Sequence, residues 1–170
     1  PGSLALVAGV AVHETVSPFL PPPVLARLKW PNDVMIGRAK LSGILLEREG
    51  DSVIVGVGVN LAMTPEIVGR ETVALSNFGP APDRNCFAEC LAENFAAEVG
   101  RWRSLGLAAI VSRWLVAAHP VGTPLRVGDP GEEPLTGTFA GLSGDGALQL
   151  RLMDGTTRTV YAGDVQIAEE

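Results

Sequence analysis

Two neighbouring stretches decide how this chain folds: Leu28–Glu47, LKWPNDVMIGRAKLSGILLE, and Ser52–Asn60, SVIVGVGVN. Pro31-Asn32-Asp33 reads as a turn, because proline fixes φ and Asn and Asp bond their own backbone. Val34–Ile36 is a short apolar strand, Gly37-Arg38 a hairpin turn, and Leu41–Arg48 a second strand. Glu49–Ser52 turns the chain into a third strand, Ser52–Asn60. Strands joined by such tight turns form an antiparallel meander. The Val and Ile content of Ser52–Asn60 predicts a central strand buried on both faces.

Before the meander, Ser3–Val16 is small and apolar throughout and predicts a helix buried on most sides, capped by Ser3 and ended by Pro18 and Pro21-Pro22-Pro23. Val24–Trp30 reads as a helix tail or a strand. After it, Leu61–Ala81 lacks periodicity and predicts an ordered loop with one helical turn. Asp83 or Asn85 then caps a long helix with Phe87, Leu91, Phe95 and Val99 as its apolar stripe. Gly106 breaks it, and Leu107–Ala118 is a further helix. From Val121 the pattern changes to short alternating segments, PLRV, LTGTFAGL, ALQLRLM, TRTVY and VQIA, separated by turns at Gly128-Asp129, Gly144-Asp145-Gly146 and Asp154-Gly155. Four or five short strands in this span predict a small SH3-like β-barrel. A boundary near His119 divides residues 1–118 from 119–170. The expected class is α+β: a mostly antiparallel sheet packed with helices, then the barrel.

With 170 residues and 46% hydrophobic content the chain has enough apolar surface for a core, which excludes wholesale disorder. Its net charge of −6 argues against a general nucleic-acid binder, which needs clustered cations. No apolar run is long enough to span a membrane. The first segment, PGSLALVAGVAVHETV, has no basic start and carries His13 and Glu14, so it reads as a buried helix and not a leader. Pro1 in place of Met points to processing or to a piece of a longer protein. Cys86 and Cys90 share a helix face without metal-ligand neighbours, and are expected to be small core residues with no disulfide. Glu169-Glu170 reads as a solvated tail.

The densest chemistry lies in the opening stretch. Lys29 and Lys40 flank the turn that presents Asn32 and Asp33. Lysine offers a point charge suited to phosphate or carboxylate, and aspartate offers hard oxygen for Mg²⁺. Together they could hold a nucleotide triphosphate with its metal, or they could be solvated strand-edge charges. Gly43, Gly56 and Gly58 strip side chains from a strand face, which suits close approach of a flat ligand or of a packed helix. Asn60 could read ribose or base edges, or cap the next turn. His13 and His119 are read as structural. No GxSxG and no GK[ST] ending is present, so neither a serine triad nor a P-loop is expected.

KWPND, then Lys40 in KLSGILLE seven residues after Asp33, then GVGVN, resembles the catalytic core of biotin protein ligases. The segment GDGALQLRLMDGTTRTVYAGDV resembles the C-terminal domain of that family, and residues 62–82 are the weakest part of the likeness. The resemblance implies a fold like the class II aminoacyl-tRNA synthetases. It also implies a two-step reaction with ATP, biotin and Mg²⁺: biotin forms biotinyl-5′-adenylate, and a lysine of a biotin carboxyl carrier protein then takes the biotinyl group. It assigns Lys40, Asp33 and Lys29 to catalysis, with Asp33 also a Mg²⁺ ligand. Biotin binding falls to Lys40, Gly43, Ile44 and Leu45, and adenylate binding to Lys29, Asn32, Gly56, Gly58 and Asn60. Trp30 is a packing residue. The family's glycine- and arginine-rich loop, of the form GRGRRGR, and its preceding strands have no counterpart here, nor does a helix-turn-helix. The chain thus resembles the C-terminal two-thirds of a ligase, and this stretch alone is expected to adenylate biotin poorly. A lipoate–protein ligase homologue and a non-catalytic interaction module, or truncated relic, are the alternatives. A homodimer through a sheet edge and a cytoplasmic location complete the expectations, with no membrane and no nucleic-acid partner.

Overall fold

A computed structural model describes residues 2–128 and 133–168; Pro1, Asp129 of the expected Gly128-Asp129 turn and the Glu169-Glu170 tail lie outside the described residues. Alanine, leucine and valine carry Gly2–Val16 as helix α1, which is buried from Ala5 to Val12 and again at Thr15 and Val16. A helix so evenly apolar has no face for water and must lie between layers. On one side α1 meets a four-stranded antiparallel sheet, β1 (Ala26–Lys29), β2 (Asp33–Ile36), β3 (Ala39–Glu49) and β4 (Ser52–Val59), in that spatial order. On the other side lie α2 (Arg84–Leu105) and α3 (Leu107–Ala117).

Asp83 caps α2 by accepting from Asn85 N and Cys86 N at 2.9 and 3.0 Å. These bonds hold the Asp83 carboxyl below its ordinary range. The stripe Phe87, Leu91, Phe95, Val99 packs on the core, but it also includes Asn94 and Glu98. Asn94 donates to Thr15 Oγ1 at 2.9 Å. Glu98, 1% exposed, accepts from Arg101 Nε and Arg113 Nε, both at 3.1 Å, and Arg113 also pairs with Glu14. The three helices are thereby tied by charge. Glu98 stands three residues after Phe95, so the stripe itself placed it inside.

Three expectations fail here. Ser3 lies inside α1, which begins at Gly2, and so does not cap it. Ser52–Asn60 is not a strand buried on both faces: β4 closes one edge of the described sheet and alternates between exposed and half-buried residues. Its valines face the core, whereas Ile54, Gly56 and Gly58 face outward. High Val and Ile content reports one well-packed face as readily as two. Cys86 and Cys90 are free and exposed, not core residues. The i, i+4 spacing correctly gave them one face, but the stripe beginning at Phe87 turns that face to solvent.

The C-terminal part is a five-stranded antiparallel sheet, β5 (Pro124–Gly128), β6 (Leu135–Leu142), β7 (Leu148–Arg151), β8 (Thr157–Val160) and β9 (Asp164–Ile167), in the order β8-β7-β6-β5-β9. It shares its core with the rest of the chain. Trp114 of α3 meets Phe139 of β6 edge-on at 6.3 Å, and Trp30 Nε1 donates to Gly146 O at 3.0 Å. Leu6, Leu28, Trp114, Leu125, Phe139, Leu148 and Val165 belong to one contiguous cluster.

Candidate functional site

Register lays one row of residues straight across the first sheet. Lys29 pairs with Asp33, Asp33 with Gly43, and Gly43 with Gly58. Leu28, Val34 and Ile44, on the opposite face, are buried in the core, so this row faces away from α1. Lys40 would not belong to it in a regular strand, because residues three apart point to opposite faces. A β-bulge changes that. Val34 pairs with Ser42 but Met35 pairs with Lys40, leaving Leu41 as the extra residue. The bulge brings Lys40 onto the face of Asp33 and Gly43.

There the Asp33 carboxylate, with its side chain 7% exposed, bridges both lysines. Oδ2 accepts from Lys29 Nζ at 2.9 Å, and Oδ1 accepts from Lys40 Nζ at 2.5 Å. Lys29 also donates to Val165 O of β9 at 2.7 Å. Lys40 keeps more access to solvent, at 26% against 11% for Lys29. Its end lies against Gly43, where an ideal Cβ would come within 2.9 Å of both Lys40 Cε and Nζ.

The backbone of Lys40 is held from its other side. Lys40 N donates to Glu71 O at 2.8 Å, and Val73 N donates to Lys40 O at 3.0 Å. The Asn60 amide nitrogen donates to Lys40 O at 3.3 Å and to Val73 O at 3.0 Å. Both amide hydrogens of Asn60 are thus committed to main chain, which leaves its side-chain oxygen as the group that can receive. Asn32 is similarly committed: Nδ2 donates to Ile44 O at 2.6 Å, and Asn32 O accepts from Ile44 N at 3.0 Å. This clamp fixes the Trp30–Asn32 turn against β3.

The site residues expected from sequence therefore separate. Lys29, Asp33, Lys40, Gly43 and Gly58 form one row or its immediate neighbours, and Leu45 and Gly56 continue the same open face. Ile44 points into the core, 3% exposed. Among the described residues no helix covers Gly56 and Gly58; the atoms nearest an added Cβ belong to Leu45 and Gly43 of the same sheet. Tight helix packing does not explain these glycines. Sequence reasoning missed the far wall of the site. A cleft of about 200 Å³ is lined by Lys29, Asp33, Lys40, Arg70, Asp164 and Gln166, among others, so β9 and the 61–74 loop both border it. Arg70 and Asp164 pair across it at 3.2 Å. No local spacing signals this, because Asp164 lies 94 residues after Arg70.

A divalent cation does not fit Asp33 as it is seated. Both of its oxygens hold ammonium groups, and among the described residues no three acid, histidine or thiol groups converge to hold a metal. Nor is any helix among them long and apolar enough to cross a membrane.

Comparison with known proteins matches both parts of the chain. Residues 4–62 match the biotin/lipoate A/B protein ligase family, and residues 122–167 match the biotin protein ligase C terminal domain. A biotin–[acetyl-CoA-carboxylase] ligase of Mycobacterium tuberculosis is 36% identical over 166 residues, covering 96% of this chain and 62% of that protein. The ligase of the same description from Paracoccus denitrificans is 34% identical, covering 87% and 66%. The bifunctional ligase/repressor BirA of Escherichia coli is 30% identical, covering 96% and 52%. The chain thus spans less than two thirds of the length of these curated relatives. Among solved structures, a biotin protein ligase from Aquifex aeolicus in complex with biotin and ATP has a TM-score of 0.84 at 23% identity, over 98% of this chain and 72% of that one. A biotin protein ligase-like protein from Silicibacter has a TM-score of 0.72 at 24% identity, over 94% and 73%. At these identities the structural likeness speaks to fold.

Proposed function

The chain belongs to the biotin protein ligase family, and we propose that it carries the lysine-centred part of a site that joins biotin to a carrier protein with ATP. The observation that supports this most directly is Lys40: a cation held at one end by Asp33, open on the other, at the head of a glycine-lined face.

In this reading a biotin carboxylate oxygen attacks the α-phosphorus of ATP, the bond to the β-phosphate oxygen breaks, and pyrophosphate leaves. The resulting mixed anhydride is attacked at its carbonyl carbon by the amine of a carrier lysine. The carbon–oxygen bond to AMP breaks, AMP leaves with the electron pair, and the new amide sheds a proton. Charge accumulates on the α-phosphate oxygens in the first step and on AMP in the second, and Lys40 is placed to receive it. A donor fixed before reaction costs no reorganisation when charge develops. Asp33 holds that donor in place. Gly43, Gly56 and Gly58 leave room for a flat group beside it, with the backbone of Gly43 and Leu45 along the biotin edge. The Asn60 side-chain oxygen suits an exocyclic amine such as that of adenine.

The cleft is smaller than the range for whole ligand pockets, so an extended substrate runs from it onto the open glycine face. Mg²⁺ belongs to the ATP phosphates in this reading, and the chain's residues act without holding it. The partner is a biotin carboxyl carrier domain, the compartment the ATP-bearing cytoplasm, and the division falls near His119, into a ligase-like part (1–118) and an SH3-like part (119–170). The match of residues 122–167 to the biotin ligase C-terminal domain favours biotin over lipoate.

The test is Lys40→Met in the protein that carries this chain. Biotin-dependent exchange of pyrophosphate into ATP should fall by about 10²–10³-fold, the usual loss for one charge-stabilising donor, with circular dichroism unchanged. Exchange within threefold of the parent would remove Lys40 from the reaction.

A further inference from the structure

We infer that Lys29 is a positioning residue through which the C-terminal sheet holds Lys40 in place. A polar path runs unbroken from β9 to the site: Val165 O to Lys29 Nζ at 2.7 Å, Lys29 Nζ to Asp33 Oδ2 at 2.9 Å, and Asp33 Oδ1 to Lys40 Nζ at 2.5 Å. Side-chain exposure is low over the inner part of the path, 11% at Lys29 and 7% at Asp33, and higher at its end, 26% at Lys40. An ammonium has three hydrogens to donate. Two of those on Lys29 are committed to protein oxygens, one of them 136 residues away in sequence. Lysine's compact charge on a flexible stem suits such a two-acceptor tie. The neighbouring Trp30 makes a second tie to the same sheet through Gly146 O, so the turn is anchored there at two consecutive residues. A displacement of β9 would pull Asp33 by one oxygen and shift Lys40 by the other.

The consequence rests on the ligase reading and sharpens it. The C-terminal sheet contributes to catalysis by fixing the charge that meets the phosphate, and Lys29, at the wall of the cleft, acts through Asp33 and not as a phosphate ligand. Lysine and arginine at this position differ in reach, so Lys29→Arg separates a need for charge from a need for this geometry.

Selective ¹⁵N-lysine labelling of the protein that carries this chain, with the Nζ resonances of Lys29 and Lys40 assigned by loss in Lys29→Met and Lys40→Met, gives one resonance for each end of the path. The expected result has three parts. In the parent, the Lys29 ammonium nitrogen shows a coupling across the hydrogen bond to the Val165 carbonyl carbon. Lys29→Met, without nucleotide, displaces the remaining Lys40 resonance, and Lys29→Arg displaces it less. ATP added to the parent shifts Lys40 and leaves the Lys29–Val165 coupling intact. The inference is overturned when the coupling is missing from the parent, when Lys40 is unmoved in Lys29→Met, or when ATP shifts Lys29 and abolishes the coupling, as a phosphate ligand would. The parent coupling needs no variant, so a Lys29→Met protein that fails to fold does not remove the test. Binding of ATP to neither lysine would count against the ligase reading alone, because the first two results need no nucleotide.

Discussion

Gly43 acts through the atom it lacks. A methyl group at this position would come within 2.9 Å of the Lys40 ammonium, closer than the two can pack, and that flexible end, not the backbone, would give way. Gly43 lies within β3 and is not among the glycines with positive φ, so alanine can adopt its conformation. Replacing glycine by alanine inside a strand is otherwise worth about 0.5–1 kcal/mol in favour of the fold. Gly43→Ala should therefore unfold in urea at the same or a slightly higher midpoint while biotin adenylation falls about tenfold or more. A loss of both together would place the role of Gly43 in packing.

His119 bears on stability. Its Nε2 is buried with no hydrogen-bond partner among the described residues. Burial first, then Arg27 and Lys29 nearby, hold its pKa down at about 4 against 6.5. Its other surroundings are apolar, from Trp30, Trp114, Leu125 and Phe139. A folded pKa below the unfolded one means that the unfolded chain takes up the proton first. The stabilisation is complete above pH 6.5 and is lost as pH falls from 6.5 toward 4. After allowance for partial solvent access it amounts to about 1–2 kcal/mol. Urea midpoints across this window should fall less steeply for His119→Phe than for the parent. The remaining slope should include His13, whose pKa is lowered chiefly by burial.

At the scale of the element, the bulge in β3 is the decisive irregularity. Turn chemistry placed the hairpins at Gly37-Arg38 and Gly50 correctly, because positive φ at glycine is a local demand. The bulge has no such signature, since it depends on how β2 and β3 register and on what holds Lys40 from behind. Asn60 is central to that hold: it joins the end of β4 to Lys40 and to Val73 on the 61–74 loop. Asn60→Leu leaves Val73 O without this donor and Lys40 O with Val73 N alone, at a local cost of about 1–3 kcal/mol. Amide hydrogen exchange at Lys40 and Val73 should then quicken about tenfold or more, a factor that corresponds to about 1.4 kcal/mol. Exchange unchanged at both positions would show that Glu71 and Val73 hold Lys40 without Asn60.

Across the whole molecule, the two parts read from sequence share one core and one site wall, so they are joined by packing and by polar ties. Composition has a functional side at this scale. Eleven arginines and two lysines make up the cations, and both lysines are tied to Asp33. An acyl-adenylate reacts with free amines, whereas an arginine guanidinium stays protonated and unreactive. Folded protein treated with synthetic biotinyl-5′-adenylate, without carrier, should show no adduct on Lys29 or Lys40 by peptide mass mapping. Arg158→Lys, at an exposed position on β8, should gain one. Biotinylation of Lys29 or Lys40 in the folded parent would contradict the protection assigned to Asp33.

The meander, the long capped helix, the change to short strands after His119 and the order KWPND, Lys40, GVGVN could all be read directly, because periodicity, caps and turns are settled within a few residues. The side of the sheet on which Lys40 lies could not, since one unpaired residue at Leu41 reverses it. Nor could the exposure of β4, which depends on which strands find neighbours. Asn32, Asn60 and Lys29 show the same division: their chemical types suit a site, yet each donates to a backbone carbonyl 12 to 136 residues away. Those partners are chosen by packing and register across the folded molecule, which local spacing does not encode.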